Sequence, residues 1–160
     1  MRLVCKMRDS KGATIVEFAL VLPIFALLLF STIEFGDYFF VQHTLQFATR
    51  EGTRLALVGA TLNDPKGNPM TRQASIIQTI KDHASIAVNP DALQISIFSV
   101  GPGYTNPANW QNTTDPGGGG NYMRVRVQYT FNFLTPLIQQ FFPSGRHVIT
   151  AEALYRNELF

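Results

Sequence analysis

The fold of this 160-residue chain follows from one uncharged, apolar stretch: residues 18–33 read FALVLPIFALLLFSTI. Extending it back to Ala13 gives 21 residues, interrupted only by Glu17. An α-helix of that length reaches about 30 Å, the thickness of a bilayer core. Pro23 is tolerated in such a helix because neighbouring helices or water satisfy the freed carbonyl. The stretch therefore predicts a transmembrane helix.

Charge asymmetry around this stretch predicts its orientation. Four of the 13 basic residues lie in the first twelve positions, namely Arg2, Lys6, Arg8 and Lys11. Glu34 and Asp37 follow on the other side, so the positive-inside rule places the N-terminus in the cytoplasm and the rest outside. A secretory signal peptide would have a shorter apolar core and a small-x-small cleavage site. Neither feature is present, and a retained anchor is predicted.

Composition excludes several classes of protein. Hydrophobic residues make up 46% and charged residues 15%, which argues against a disordered chain. The net charge of +2 comes from the first twelve residues, since the remainder carries 9 basic and 10 acidic residues. A phosphate-binding surface needs clustered Lys and Arg, so no nucleic-acid partner is expected. The single cysteine, Cys5, leaves no internal disulfide.

Glu17 is unusual within an apolar run. A carboxylate at the centre of a membrane helix costs on the order of 2 to 3 kcal/mol, less near the edge, and usually has a partner. If the chain were cut after Gly12, Glu17 would be the fifth residue, and the new α-ammonium could neutralise the Glu17 carboxylate of an adjacent subunit. The alternative is an interfacial glutamate solvated by headgroups. Spacing alone leaves both interpretations open.

Three adjoining motifs point to a known family. Residues 12–23 read GATIVEFALVLP, and IEFGDYFFVQ and ATREGTR follow before the segment ends at Arg54. They resemble the TadE-like family of minor pilins, or pseudopilins, of bacterial Tad (Flp) pili. A weaker resemblance to the same family recurs in MRVRVQYTF, LTPL and ITAEALYRNE. The resemblance as a whole covers most of the chain and fails only at residues 60–120. Major Flp pilins are much shorter and usually have Tyr where this chain has Phe18, so the resemblance favours a minor subunit.

The resemblance implies roles for particular residues. A prepilin peptidase would cut between Gly12 and Ala13, removing residues 1–12 as a basic leader. Glu17 would hold the position of the pilin glutamate and, with Phe18, set subunit register. The apolar residues implied to pack in the filament core are Leu20, Leu22, Pro23, Phe25, Leu28 and Phe30. The remaining motif positions are Glu34, Gly36, Arg50, Glu51, Gly52 and Arg54.

The resemblance also implies partners and a location. The expected partners are other pilin subunits, the prepilin peptidase and the Tad secretion platform of the inner membrane. The chain would sit in the lipid bilayer of the bacterial inner membrane as a single-pass protein, with a periplasmic head, or in the extracellular pilus.

Residues 13–59 are predicted to form one helix, spanning the membrane and continuing as a spine. Beyond the membrane it has an apolar or small stripe at 4-3-4-3-4 spacing, formed by Val41, Leu45, Ala48, Gly52, Leu55 and Gly59. Phe39 and Phe40 are a candidate subunit contact.

Residues 60–160 are predicted to form an exported head. Thr71 can cap a second helix that stops at Asn89-Pro90. Strands are expected from Leu93, from Met123 to Phe133 and from Val148, with a short helix after Thr135-Pro136. This order predicts a pilin-like α+β fold, a small antiparallel sheet on the helical spine. Arg124 and Arg126 would lie on the solvent face of their strand, for solubility.

The loop 101–121 carries six glycines, three prolines and the only tryptophan. Its glycine run is not followed by Gly-Lys-Ser/Thr or a helix, so it is no phosphate loop. Tyr104 and Trp110 are either adhesive aromatics or residues that pin the loop to the head, and pinning is favoured.

No motif for catalysis is present. The three histidines, His43, His83 and His147, lack metal-ligand spacing, and no nucleophile elbow occurs. No enzyme activity, cofactor or metal is expected. Two hypotheses remain: a cleaved minor pilin acting in pilus assembly and surface adherence, and an uncleaved membrane-anchored protein that binds a ligand through loop 101–121.

Overall fold

The computed structural model describes residues 10–159, with side chains from residue 12 onward. Helix α1 (Ser10–Leu57) is a single element of 48 residues, about 70 Å long. It passes through Pro23 and ends two residues before Gly59, whose φ of 67° is a left-handed conformation typical of helix ends. Residues 1–9 of the predicted leader lie outside the described part.

The remaining elements follow in the predicted order. They are α2 (Arg72–Ala84), β1 (Gln94–Ser99), β2 (Tyr122–Asn132), α3 (Pro136–Gln139) and β3 (Arg146–Arg156). The Thr71 hydroxyl accepts the N–H of Ala74 at 3.2 Å, so the predicted cap of α2 is confirmed. Strand β1 begins one residue later than the Leu93 start predicted, and β3 begins two residues earlier than Val148.

The three strands form one antiparallel sheet in the order β1-β2-β3. Central strand β2 places Val125 opposite Ile97 of β1 and Ala153 of β3. The alternating apolar residues of β2 face the helices and join the core, as the pattern predicts. The predicted α+β architecture, a long helix with a small antiparallel sheet, is confirmed.

The core lies between one face of the sheet, helix α2 and the C-terminal half of α1. From α1 it contains Val41, Leu45 and Ala48, each at most 3% exposed. The buried stripe then continues through Ala56 instead of the predicted Leu55, which is half-buried. The N-terminal half of α1 contributes no residue to this core.

Candidate functional site

The N-terminal half of α1 projects without cover from the head. Every side chain from Gly12 to Phe25 is exposed, although the segment is almost entirely apolar. The exposed fractions of the predicted packing residues include 63% for Phe18, 68% for Leu20, 45% for Leu22, 59% for Phe25, 62% for Leu28 and 53% for Phe30. By length and composition, α1 is the one described helix that could cross a membrane.

The predicted processing and register residues lie together at the start of this exposed segment. The Gly12–Ala13 peptide is inside α1, and Glu17 follows Ala13 by four residues. Residues four apart share one helix face. Glu17 makes no ion pair with any other described residue.

Glu34 marks the junction between the exposed segment and the head. It is buried, with 6% of its surface exposed. Its carboxylate accepts hydrogen bonds from the backbone N–H groups of Leu134 and Thr135, the latter at 3.1 and 3.2 Å from its two oxygens. The sequence places Glu34 among charged flanking residues and gives no sign of this contact, which forms across a separation of 100 residues.

An aromatic cluster supports this junction one turn further along α1. The ring of Tyr38 lies 5.4 Å from that of Phe131, edge to face, and is stacked 6.2 Å from that of Phe133. Phe133 in turn stacks on Phe142 at 4.1 Å. Such pairs add about 0.5–1.5 kcal/mol each beyond the area they bury. The cluster attaches the β2–β3 connection to the helix.

A groove of about 690 Å³ opens between α1 and the β2–β3 connection. Its lining is mostly apolar: Phe30, Ile33, Glu34, Asp37, Phe131, Leu134, Thr135 and Pro136. Of the two carboxylates, that of Glu34 is already engaged by backbone donors. The groove therefore resembles a surface for apolar groups more than a site for acid–base chemistry.

Of the motif residues at positions 50–54, Gly52 has a role in helix packing and the charged ones lie at the surface. A Cβ on Gly52 would lie 2.4 Å from Cγ1 of Ile80, so glycine is what allows α1 and α2 to approach here. Arg54 pairs with Glu51 at 2.9 Å on the surface, and Arg50 is exposed. Gly36 has open space around it, and packing gives no reason for its glycine.

The C-terminal end of α1 is held by two donors from distant parts of the head. The guanidinium of Arg72 donates to the carbonyl of Ala56 at 2.6 Å, and the N–H of Glu158 donates to the carbonyl of Leu57 at 3.0 Å. The last carbonyls of a helix have no partner within it. These contacts supply partners from α2 and from the chain beyond β3.

Asn157 links the same guanidinium to the glycine-rich loop. Its side-chain oxygen accepts from Arg72 at 2.7 Å, and its side-chain nitrogen donates to two carbonyls in the 116–118 turn at 3.0 and 2.8 Å. Asn157 is 2% exposed. The sequence gives no signal for this hub, because its members are up to 85 residues apart.

Loop 101–121 covers the face of the sheet opposite the core. Trp110 lies 5.4 Å from the ring of Phe98, and the guanidinium of Arg126 stands 4.0 Å above the indole. The pinning interpretation is therefore confirmed for Trp110. Tyr104 is 52% exposed and meets Tyr122 edge to face at 5.8 Å.

The solubility interpretation of Arg124 and Arg126 is wrong. Their side chains are only 18% and 17% exposed, because loop 101–121 and β3 cover them. Arg126 forms an ion pair with Glu152, and Arg124 donates to Asn106 of the loop. The alternation of β2 correctly keeps both residues out of the core, but it does not reveal the loop that covers them.

Within residues 10–159, no group of three or more His, Cys, Asp or Glu side chains could hold a metal ion. His83 contacts the carbonyl of Thr79 at 2.8 Å and the ring of Phe47 at 5.4 Å. His147 lies 5.7 Å from the ring of Tyr38. These contacts give both histidines roles in packing.

These features define a class of protein: a small α+β head on a helix that is long and apolar enough to cross a membrane. Residues 12–54 match the family model described as TadE-like protein. The resemblance predicted from the sequence is thereby confirmed over the exposed helix, the Glu34 junction and the packing glycine Gly52. No curated protein and no solved structure matches the chain.

Proposed function

We propose that this chain is a minor pilin or pseudopilin of a Tad (Flp) pilus, acting in pilus assembly and surface adherence. A prepilin peptidase would remove residues 1–12 and leave Ala13 as the mature N-terminus. Before assembly the chain would sit in the inner membrane, with its N-terminus in the cytoplasm and its head in the periplasm. It would then join other pilin subunits through the Tad secretion platform.

The contrast between the two halves of α1 carries this proposal. Beyond Glu34 the head buries one stripe of the helix, whereas from Gly12 to Phe25 every side chain is exposed. A helix that is apolar all round needs apolar surroundings all round. Lipid would supply them before assembly, and neighbouring helices would do so in a filament. The TadE-like match falls on this same helix.

The position of Glu17 supports a role in subunit contacts. Its carboxylate lies within the apolar segment, where an unpaired charge costs on the order of 2 to 3 kcal/mol towards the centre. No other described residue forms an ion pair with it. Cleavage after Gly12 would create an α-ammonium on Ala13, one helical turn (about 6 Å) from Glu17 along the axis of α1. The amine of one subunit could then neutralise the Glu17 carboxylate of the next.

The anchored binding protein, which is the alternative, receives less support from the head. Its ligand site would be loop 101–121, but Trp110 of that loop is engaged by Phe98 and Arg126. Arg124 further ties the loop to β2 through Asn106. These contacts use the loop's largest aromatic residue to hold the loop on the sheet.

N-terminal sequencing of the membrane-extracted protein, with the prepilin peptidase present and absent, tests the proposal. We expect a start at Ala13 only when the peptidase is present. A bulky side chain at the cut should block processing, so Gly12→Leu should keep the leader in both conditions. An uncleaved wild-type chain in the presence of active peptidase would contradict the proposal and favour the anchored binding protein.

A further inference from the structure

We propose that the β2–β3 connection, residues 133–145, is a second membrane contact that lies in the interfacial layer of the bilayer beside α1. This inference rests on the membrane position of α1 in the proposed function. The connection exposes large apolar side chains: 84% of Leu134, 78% of Phe141 and 43% of Leu137. No charged residue occurs between Arg126 and Arg146, although loops on a water-exposed head usually carry charge.

The Glu34 junction sets the depth of this connection. Ile33 ends the apolar segment, which begins at Ala13, contains Glu17 as its one charged residue and reaches about the thickness of a bilayer core. The next residue, Glu34, holds the N–H groups of Leu134 and Thr135. The connection is therefore attached to α1 at the level where the hydrocarbon layer would end.

Strand direction keeps the rest of the head away from the membrane. Strand β3 starts beside Tyr38, where His147 contacts its ring, and leads to Asn157 near the far end of α1. From Glu34 to Ala56 the helix rises about 33 Å. Only the β2–β3 end of the sheet thus lies at membrane level, and the exposed apolar side chains of the connection are at that end.

Lipid is the occupant that fits the adjacent groove. The groove continues the lipid-facing surface of the span, because Phe30 and Ile33 belong to both. On its other side it is closed by Leu134 and Pro136, which bear no charge. The upper part of an acyl chain would fill such a groove. Arg146, exposed at the start of β3, would reach the phosphate layer above it.

Depth-dependent fluorescence quenching, measured on the labelled full chain in phosphatidylcholine–phosphatidylglycerol vesicles, tests whether the β2–β3 connection contacts the membrane. The native thiol is removed by Cys5→Ser, and single cysteines carry an environment-sensitive fluorophore at three positions. Phe141→Cys reports the connection, Phe25→Cys reports the span, and Ile86→Cys is a matched exposed control. Ile86 is 71% exposed and lies two residues after the end of α2. His83 of α2 packs on Phe47 of α1, and Phe47 lies about 20 Å along α1 beyond Ile33.

We expect nitroxide-labelled lipid to quench the label at position 141 several-fold more than the label at position 86. A soluble iodide quencher should show the reverse order. Equal quenching at 141 and 86, with strong lipid quenching at 25, would overturn the membrane contact and leave the anchor intact. Protection of position 141 from both quenchers would mean that protein covers the connection, which also overturns it. Absence of lipid quenching at position 25 would contradict the membrane anchor in the proposed function.

A second variant, Leu134→Cys with the same fluorophore, controls for a local effect of the dye at position 141. Leu134 belongs to the same connection and is the more exposed of the two residues. Lipid quenching at both positions is expected. Quenching at neither, with the span label quenched, overturns the proposal.

Discussion

The carboxylate of Glu34 accepts a hydrogen bond from the backbone N–H of Thr135 at 3.1 Å, across a separation of 101 residues. It also accepts the N–H of Leu134, so one buried side chain satisfies two consecutive backbone donors. Because Ile33 ends the apolar run, this contact joins the head to α1 where the exposed apolar segment ends. The position of the β2–β3 connection therefore depends on the side chain of Glu34 in α1.

Loss of the Glu34 carboxylate should loosen the connection. Glu34→Ala leaves two partly buried N–H groups without their charged acceptor, and we expect a loss of about 2 kcal/mol in the free energy of unfolding. Denaturant unfolding of the detergent-solubilised chain measures this, and hydrogen exchange should speed up at residues 134 and 135. Asp37→Ala removes an exposed carboxylate nearby and should change little. Equal effects of the two substitutions would argue against the junction.

Two glycines of α1 should respond in opposite directions to alanine. Gly52→Ala places a Cβ 2.4 Å from Ile80, which is fully buried, so the helices must separate at a cost of about 1–3 kcal/mol. Gly36→Ala meets open space and should stabilise the helix by about 0.5–1 kcal/mol. Thermal unfolding compares them. In an Ile80→Ala background the extra cost of Gly52→Ala should vanish, and its persistence there would exclude a clash with Ile80.

Local periodicity was sufficient to predict most of the fold. The uncharged run predicts α1, Thr71 marks the start of α2, and alternation from Met123 to Phe133 predicts the central strand. Each of these signals lies within one element, where helix and strand geometry fix which side chains share a face. The helix stripe could be assigned only to within one residue, since Ala56 is buried where Leu55 was expected.

The contacts that hold the head to α1 could not be predicted in this way. Glu34 meets Thr135, and Arg72 meets Asn157, through pairs of residues 85 to 101 positions apart. In each pair, the sequence around one residue does not indicate which distant residue it contacts. The covering of Arg126 by Trp110 is similar, because alternation fixes the face of a side chain and leaves open what packs on that face.

Asn157 should be essential for the order of the 116–118 turn. Asn157→Ala removes one acceptor for Arg72 and two donors to the turn, and we expect a loss of about 2–3 kcal/mol. Denaturant unfolding measures the stability, and limited proteolysis should cut the glycine-rich turn earlier than in the wild type. Asn112→Ala, at an exposed position of the same loop, is the matched control. Unchanged proteolysis in Asn157→Ala would contradict the hub.

Tyr155 should make the head sensitive to alkaline pH. Burial raises the pKa of its hydroxyl from 10.0 to about 12, against an opposing effect of the Arg72 charge. The unfolded chain therefore loses this proton first, and the associated stability is fully present below pH 10 and lost as pH rises towards 12. The loss should be about 2 kcal/mol. Denaturant midpoints compared across this range measure it.

Tyr155→Phe isolates this contribution from other groups that titrate at high pH. Among the described residues none hydrogen-bonds the Tyr155 hydroxyl, so the substitution should cost little at neutral pH. The variant should lose less stability than the wild type between about pH 10 and pH 12. Tyr104→Phe, at an exposed position, should follow the wild type. Parallel pH curves for all three proteins would exclude Tyr155 as the source.

Glu17 should be required for assembly and dispensable for membrane insertion. Glu17→Ala makes the span more apolar, so the chain should reach the membrane fraction in normal amounts. In a filament, however, the α-ammonium of Ala13 would lose its counter-charge, at a cost of up to about 2 to 3 kcal/mol, the value for a charge at the centre of a membrane helix. A cost of about 2 to 3 kcal/mol weakens subunit addition by roughly 30- to 150-fold. Immunoblots of membrane and sheared-pilus fractions measure the two effects separately.

Glu17→Gln distinguishes the charge of this residue from its shape. The amide keeps the size and hydrogen-bonding capacity of the side chain but cannot neutralise an ammonium group. If charge pairing sets the register, Glu17→Gln should fail in assembly as Glu17→Ala does, while Asp37→Ala, outside the apolar run, should assemble normally. Normal piliation in both Glu17 variants would contradict a role of Glu17 in subunit register. It would favour the alternative, an interfacial glutamate that is solvated by headgroups.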